Sequence, residues 1–287
     1  MKLPFRLASR FVASDSLDGT LPVLSELKSA GLHTTLDLLG EYVTDRNVAA
    51  RARDEFIKLI DRLSDEHERT NVDRNISIKL SMMGQKIDES FCLDNLKQVL
   101  SQAKKKGVFI RLDMEGTDIT DSTLGLFETV YPEYPENVGV VLQAYLKRTR
   151  KDIERMCELK ARVRLCKGAY KEPAHLAHQR MSDIREAFIE YMKMLIADAR
   201  YPGIATHDDI LIDATKTWVA ENGVDNDRFE FQMLYGMRPS TQKNLADAGY
   251  NMRVYVPYGK DWVPYFTRRL RERKENVWFV LRTLIKS

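Results

Sequence analysis

Asn75-Ile76-Ser77-Ile78-Lys79-Leu80-Ser81 alternates between apolar and polar side chains. Successive side chains of a strand point to opposite faces, so Ile76, Ile78 and Leu80 share one face and Ser77, Lys79 and Ser81 the other. The same sorting holds in three further stretches. Ile110, Leu112 and Met114 oppose Arg111 and Asp113 in 108–114. Phe229, Phe231 and Met233 oppose Glu230, Gln232 and Leu234, and Met252, Val254 and Val256 oppose Arg253 and Tyr255. If the apolar face packs on helices, the polar face must line the inside of a barrel. That inside then carries Lys79, Asp113, Gln143, Arg164, His207, Gln232 and Tyr255, mostly at the carboxyl ends of strands. Barrel enzymes place their catalytic groups at that rim.

Around these stretches the chain repeats one unit. Strands are expected at 34–39, 75–81, 108–114, 138–143, 163–167, 204–207, 229–234 and 252–256, with helical stretches such as 45–69, 93–106, 173–200 and 239–248 between them. An amphipathic helix over 16–30, ending at Gly31, precedes the first strand. Eight β-then-α units in about 250 residues is the arithmetic of an α/β fold of the (β/α)8, TIM-like barrel type, here with an N-terminal helix. Periodicity does not show whether the sheet closes, so a doubly wound sheet is the alternative. The acidic, proline-bearing segment 128–137 reads as a loop, and no low-complexity linker divides the chain. One domain over 1–287 is expected, with 1–33 an N-terminal helical segment and 34–287 the barrel.

The 287 residues are 44% hydrophobic and 30% charged, enough for a large core. With 45 basic against 42 acidic residues there is no global field to attract nucleic acid, so an anion site must be local. Cys92, Cys157 and Cys166 are odd in number and show no paired spacing, which suits reduced thiols in the cytoplasm. The opening Met-Lys-Leu-Pro-Phe-Arg does not read as a signal peptide, and no run of about 18 apolar residues occurs.

Near the end, Tyr265, Arg268, Arg269 and Glu272 fall at i, i+3, i+4 and i+7 of a helix and share one arc, beside an apolar stripe of Trp262, Val263, Phe266 and Leu270. Two neighbouring guanidinium forks suit a carboxylate or a phosphate, and the alternative is a solvated basic patch. Lys79 and Asp113 end consecutive strands, which fits a structural ion pair, a lysine holding an anionic substrate beside an acid, or a Schiff-base lysine. In Arg164-Leu165-Cys166-Lys167-Gly168-Ala169-Tyr170 a glycine ends a strand, and Arg164 and Lys167 are expected on opposite faces. His207 ends the sixth strand, and His175 and His178 read as surface residues; no metal site is expected. No two glycines are separated by a single residue, which disfavours a Rossmann nicotinamide site; redox chemistry in a barrel points instead to a flavin. The residues alone leave three classes open: a flavoenzyme, a lyase using Lys79, and a protein that binds an acidic ligand or nucleic acid without catalysis.

At these same residues the chain resembles the proline dehydrogenases, above all the compact single-function bacterial type. The matching pieces run in order through Thr35-Leu36-Asp37-Leu38-Leu39-Gly40-Glu41, Ser77-Ile78-Lys79-Leu80, Arg111-Leu112-Asp113-Met114-Glu115, Val140-Val141-Leu142-Gln143-Ala144-Tyr145, the Arg164 to Tyr170 stretch, Ala205-Thr206-His207-Asp208, Phe229-Glu230-Phe231-Gln232-Met233-Leu234-Tyr235-Gly236, and 255–272. The resemblance covers the chain from about residue 10 onward.

What the resemblance implies is a barrel with non-covalent FAD. It would oxidise L-proline to Δ1-pyrroline-5-carboxylate by hydride transfer and pass electrons to a membrane quinone. Lys79, Arg268 and Arg269 would hold the proline carboxylate. Tyr255 and Leu234 would pack the ring, with Tyr265 beside them, and Asp113 would sit near the amine and orient Lys79. Arg164 would meet the flavin near its accepting nitrogen. Met114, Gln143, Lys167, Gly168, Ala169, Thr206, His207 and Gln232 would line the FAD, and Glu272, counted with them, would pair with an arginine of the clamp. A cytoplasmic location with peripheral contact at the inner membrane face follows from the quinone, and a pyrroline-5-carboxylate dehydrogenase would take the product. Two departures stand out: Cys166 replaces a common aliphatic residue, and the helical arm before the first barrel motif is short, which bears on the oligomer.

Overall fold

Eight parallel strands pair in sequence order, and the last pairs with the first. They are β1 (His33–Leu38), β2 (Asn75–Ile78), β3 (Phe109–Leu112), β4 (Val138–Gln143), β5 (Arg162–Cys166), β6 (Gly203–Ala205), β7 (Glu230–Leu234) and β8 (Met252–Tyr258). The ring closes along His33 to Leu38 against Arg253 to Tyr258, which decides for the barrel over the doubly wound sheet. The computed structural model describes Phe5 and residues 8–272, with the side chains of Arg268, Leu270, Arg271 and Glu272 outside that description.

Helix α1 (Leu17–Ser29) precedes the barrel. Outside the strands lie α2 (Arg46–Thr70), α3 (Glu89–Lys106), α4 (Thr120–Val130), α5 (Thr149–Glu158), α6 (Met181–Asp198), α7 (Asp209–Glu221), α8 (Pro239–Asp247) and α9 (Trp262–Glu272). Their starts are written locally. Asp45, Asp88 and Asp208 cap α2, α3 and α7 by accepting from the first free backbone N–H groups, each cap contributing about 1 kcal/mol. Asn71 and Gly107 end α2 and α3 in the left-handed conformation that such residues adopt most readily.

The parity argument holds on both faces. Ile76, Ile78, Ile110, Leu112, Phe231, Met233, Val254 and Val256 are buried in one apolar cluster with Phe56 and Leu63 of α2 and Phe188 and Leu195 of α6. Inside the barrel, Thr35 and Ser77 share a hydrogen bond at 3.1 Å, and Arg253 donates to Glu230 at 2.8 Å. Two strand glycines make room for this polar filling. A Cβ on Gly139 would meet Arg111 Nη1 at 2.7 Å and the Arg162 carbonyl at 2.5 Å, and one on Gly203 would meet Gln232 Nε2 at 2.4 Å.

Four expectations need correction. β2 ends at Ile78, because Leu80–Met83 turn into a 3-10 helix; Ser81 therefore leaves the interior and donates to Glu115 at 2.7 Å. The helix expected over 173–200 begins only at Met181. Pro173 stands in the preceding segment, which instead lies along the β4–α5 loop, with an antiparallel bridge from Leu146 to Ala177 and a bond from His178 N to the Tyr145 carbonyl at 2.8 Å. The expected loop 128–137 is helical as far as Val130. On α9, Val263 is 42% exposed, whereas Tyr265 joins Trp262, Phe266, Phe11, Val12 and Met237 in a second apolar cluster. Burying each such ring contributes roughly 1.5–3 kcal/mol, and the cluster ties the segment before α1 to the barrel mouth.

Candidate active site

The carboxyl ends of the strands open into a cavity of about 710 Å3. Its charged wall is built from four strands. Lys79, one residue past β2, donates to Asp37 Oδ1 of β1 at 2.8 Å and stands 3.8 Å from Asp113 Oδ2. Asp113, one residue past β3, accepts from Arg164 Nη1 of β5 at 2.8 Å and from the Tyr255 hydroxyl of β8 at 2.7 Å. Arg164 also donates to Gln232 Oε1 at 2.5 Å and to Ser77 Oγ at 3.0 Å. All three of its nitrogens are therefore committed, and its guanidinium is fixed in place.

The electrostatics follow from burial. Burial works against the charge on Lys79, but Asp37 and Asp113 outweigh it and hold the ammonium above the usual lysine range. Burial pushes the Asp37 carboxyl up, against the pull of Lys79. Burial, then Asp113 and Asp37, hold the Tyr255 phenol well above its ordinary value, so it stays a donor. A lysine kept charged is a poor nucleophile, which turns Lys79 toward anion binding and away from imine chemistry.

At the rim, Lys167 and Arg185 both reach Asp208, at 3.0 and 2.9 Å, leaving two cations on one carboxylate beside the N-terminus of α7. His207 Nε2 accepts from the Leu234 backbone N–H at 3.0 Å, which leaves Nδ1 to carry the proton of the neutral ring. Arg238, in the left-handed conformation, donates to the His207 carbonyl at 2.6 Å and to Asp209 at 2.5 Å, binding this loop to the start of α8. From α9, Arg269 is buried with its guanidinium 5.2 Å from the centre of the Tyr265 ring.

Of the residues singled out in the sequence, the cavity is lined by Lys79, Asp113, Met114, Arg164, Lys167, Gly168, Ala169, Thr206, His207, Gln232, Leu234, Tyr255, Tyr265 and Arg269. Gln143 is not among them; it is buried, and its amide donates to the Glu115 carbonyl at 2.9 Å. The Arg268 and Glu272 side chains lie outside the described residues. Arg164 and Lys167 were expected on opposite faces, yet both line the cavity, because β5 ends at Cys166 and alternation stops there. The closest partner of Lys79 is Asp37 rather than Asp113.

Asp37 is thus the main residue that the site assignment missed, along with Glu41, Arg185 and Met237, which also line the cavity. The signal for Asp37 was its place two residues after Thr35, on the face that turns inward. Gly168, at φ +121°, is required by a neighbour: a Cβ there would stand 2.2 Å from the Tyr145 ring. Burial pushes the Cys166 thiol up to about 12, so at this wall it behaves as a small apolar side chain. Among the described residues no three His, Cys, Asp or Glu side chains are grouped to hold a metal ion.

Comparison with known proteins agrees over nearly the whole length. A family profile described as proline dehydrogenase matches residues 20–282. Proline dehydrogenase 2 of Bacillus subtilis (strain 168) is 39% identical over 280 residues, covering 98% of this chain and 91% of that protein. Proline dehydrogenase 1 of the same strain is 41% identical over 282 residues, with the same two coverages of 98% and 91%. Among solved structures, proline utilization A (PutA) from Bdellovibrio bacteriovorus, inactivated by N-propargylglycine, matches with a TM-score of 0.86 and 26% identity over 93% of this chain. The match covers 32% of that much longer chain.

Proposed function

This chain belongs to the proline dehydrogenase family and is an oxidoreductase of the first step of proline catabolism, and from that premise we propose a flavin-dependent reaction with named roles for its residues. The substrate is L-proline, the cofactor FAD and the product Δ1-pyrroline-5-carboxylate. The observation that carries the proposal is that one cavity joins two cationic side chains, Lys79 and Arg269, to the fixed Arg164–Asp113–Tyr255 array.

The residues present fit a flavin. The cavity volume lies within the roughly 300–1,000 Å3 typical of cofactor and ligand sites, larger than a five-membered amino acid alone requires. Two rim cations sharing one carboxylate leave positive charge for a diphosphate, and the N-terminus of α7 adds backbone donors. Met114, Arg164, Lys167, Gly168, Ala169, Thr206, His207 and Gln232, which line the cavity, would hold the group. Gln143 acts from behind this wall through Glu115. When bound, the flavin supplies an acceptor for the hydride that leaves the proline carbon next to nitrogen.

The remaining work belongs to side chains. Lys79 and Arg269 hold the proline carboxylate, and Arg268, whose side chain lies outside the described residues, is a third candidate from its spacing in the sequence alone. Most of the binding energy of a small zwitterion comes from such a buried anion contact. Asp113 keeps lone pairs free after accepting one bond on each oxygen, enough to take an N–H of the proline amine and position it for proton loss. Tyr255, Leu234 and Tyr265 close over the ring carbons.

Electrons would leave to a membrane quinone, and a dehydrogenase acting on pyrroline-5-carboxylate would consume the product. No helix among the described residues is long and apolar enough to cross a membrane; in this reading the protein would meet the quinone pool by docking peripherally from the cytoplasmic side. The whole chain, 1–287, would act as one catalytic domain. The decisive experiment is optical: purified protein should be yellow with a flavin spectrum that bleaches on adding L-proline. A colourless protein, or a spectrum that proline leaves unchanged, refutes the reading.

A further inference from the structure

Inside the barrel, buried charges pair off with one left over. Lys79 pairs with Asp37 at 2.8 Å, Arg164 with Asp113 at 2.8 Å, and Arg253 with Glu230 at 2.8 Å. Arg111 has no such partner: among the described residues no carboxylate stands within ion-pair distance of its guanidinium, which is 3% exposed. Its Nη1 donates only to the Val140 and Arg162 carbonyls, at 3.2 and 2.5 Å, and its Nε has no partner. Arg162 also lacks an acid at that distance, but it is half-buried at the far end of the barrel.

Leaving one charge unmatched in a dry interior is costly, and an apolar side chain of similar length would avoid the cost. Burial and then the neighbouring Arg164 pull the Arg111 pKa well below the arginine range, and Glu230, the acid that opposes them, is already held by Arg253 at 2.8 Å. Arg111 Nη1 is packed tightly against Gly139, where a Cβ would stand 2.5 Å from the Arg162 carbonyl and 2.7 Å from both Arg111 Nη1 and Phe109 Cζ. Arg111 occupies the same inward face of β3 as Asp113, two residues below it and beneath the level at which Arg164 meets Asp113.

We propose that Arg111 is an electrostatic support beneath Arg164, its unmatched charge keeping the barrel floor positive so that negative charge arriving in the cavity above is stabilised. This rests on the reading of that cavity as a flavin site. The proline ammonium first gives one proton to solvent; hydride loss from the carbon beside the neutral amine then delivers two electrons and one proton to the acceptor, which gains one negative charge, and leaves an iminium whose N–H proton also passes to solvent. The interior thus holds one surplus positive charge before the reaction and is balanced after it.

Two unit charges on the order of 10 Å apart, at an effective dielectric constant of about 20, shift an equilibrium by about tenfold. The test is the flavin midpoint potential of purified, FAD-loaded protein, titrated at equilibrium against a reference dye. Arg111→Met should favour the oxidised form by about tenfold, which for two electrons is about 30 mV lower. Arg111→Lys, which keeps the charge, should stay within about twofold of the original equilibrium, and Arg111→Gln, neutral but still able to donate to the two carbonyls, should follow Arg111→Met. A potential in Arg111→Met or Arg111→Gln within twofold of the original overturns the proposal. So does failure of both neutral variants to fold or to hold flavin, since that assigns Arg111 to tying β4 to β5. Unmutated protein without flavin would instead overturn the cofactor reading itself.

Discussion

Lys79→Met takes the cation out of a pair whose other member, Asp37, is 1% exposed. Asp37 Oδ1 then loses its 2.8 Å donor, and Oδ2 already has none. Removing one partner of a buried pair costs about 3–5 kcal/mol, so the variant should lose that much stability at pH 8, besides its affinity for proline. The loss should depend on pH, and its sign is set by Asp37. Burial already raises this carboxyl above its ordinary 3.8, and without Lys79 nothing equal opposes burial. A folded-state value above the unfolded one penalises folding as pH rises from about 3.8 toward the folded value, and spares it below. Acidifying from pH 8 to pH 5 should therefore recover part of the deficit. Urea unfolding of Lys79→Met, Asp37→Asn and the double variant at both pH values measures it, with a coupling of about 2 kcal/mol expected between the two sites. Strictly additive losses, equal at pH 5 and pH 8, would show that the two side chains do not act as a pair.

Arg269→Lys keeps a charge but loses the planar fork, and a lost charge-assisted bond of roughly 1.5–3 kcal/mol should raise the proline concentration for half-maximal rate by at least about tenfold; unchanged steady-state kinetics would remove Arg269 from the clamp. Tyr255→Ser should weaken proline by roughly 1–3 kcal/mol of lost packing and narrow the preference for proline over 4-hydroxyproline, and a preference left intact in a variant that still binds flavin would contradict its place over the ring. For Asp73, burial opposes ionisation, but bonds from His33 and Thr34 and the charge of Arg253 hold the carboxyl well below 3.8. Its folded value is depressed, so its contribution is present at neutral pH and lost as pH falls below about 3.8. Asp73→Asn should cost roughly 1.5–3 kcal/mol at pH 7 and measurably less at pH 3, the remainder being lost only as pH falls on through the folded value; the same cost by thermal unfolding at both would contradict the linkage.

The parts of the molecule that depend on period were legible before any coordinates. Alternation in β2, β3, β7 and β8 gave the inward faces, because a strand has no choice about where side chains i and i+2 point. Alternation fails where the strand stops. Ser81 belongs to a 3-10 helix and faces Glu115, and Lys167 sits beyond β5 and turns back to the cavity with Arg164. Pairing across the barrel was not legible either. Lys79 follows β2, which is flanked by both β1 and β3, and alternation does not say which of the two carboxylates, Asp37 or Asp113, it meets more closely. Val263 was read as core from its helical spacing, but the segment around Phe11 packs against Tyr265 and Phe266 and so turns the buried arc of α9.

The missing side chains at Gly139 and Gly203 also constrain how such a barrel can change over generations. A Cβ on Gly139 would meet the Arg162 carbonyl at 2.5 Å as well as Arg111 Nη1 at 2.7 Å, so backbone fixes that glycine whatever stands at 111, whereas the nearest atoms to a Cβ on Gly203 all belong to the Gln232 side chain. A larger residue at Gly203 is blocked while Gln232 stays, and shortening Gln232 alone leaves a hole beside Gly203. Either single step is unfavourable, although an exchange of both, such as Gly203→Val with Gln232→Ala, keeps more of the volume filled. The two positions should then drift only together, and a library that randomises one site at a time would find the barrel interior frozen where paired randomisation finds it negotiable.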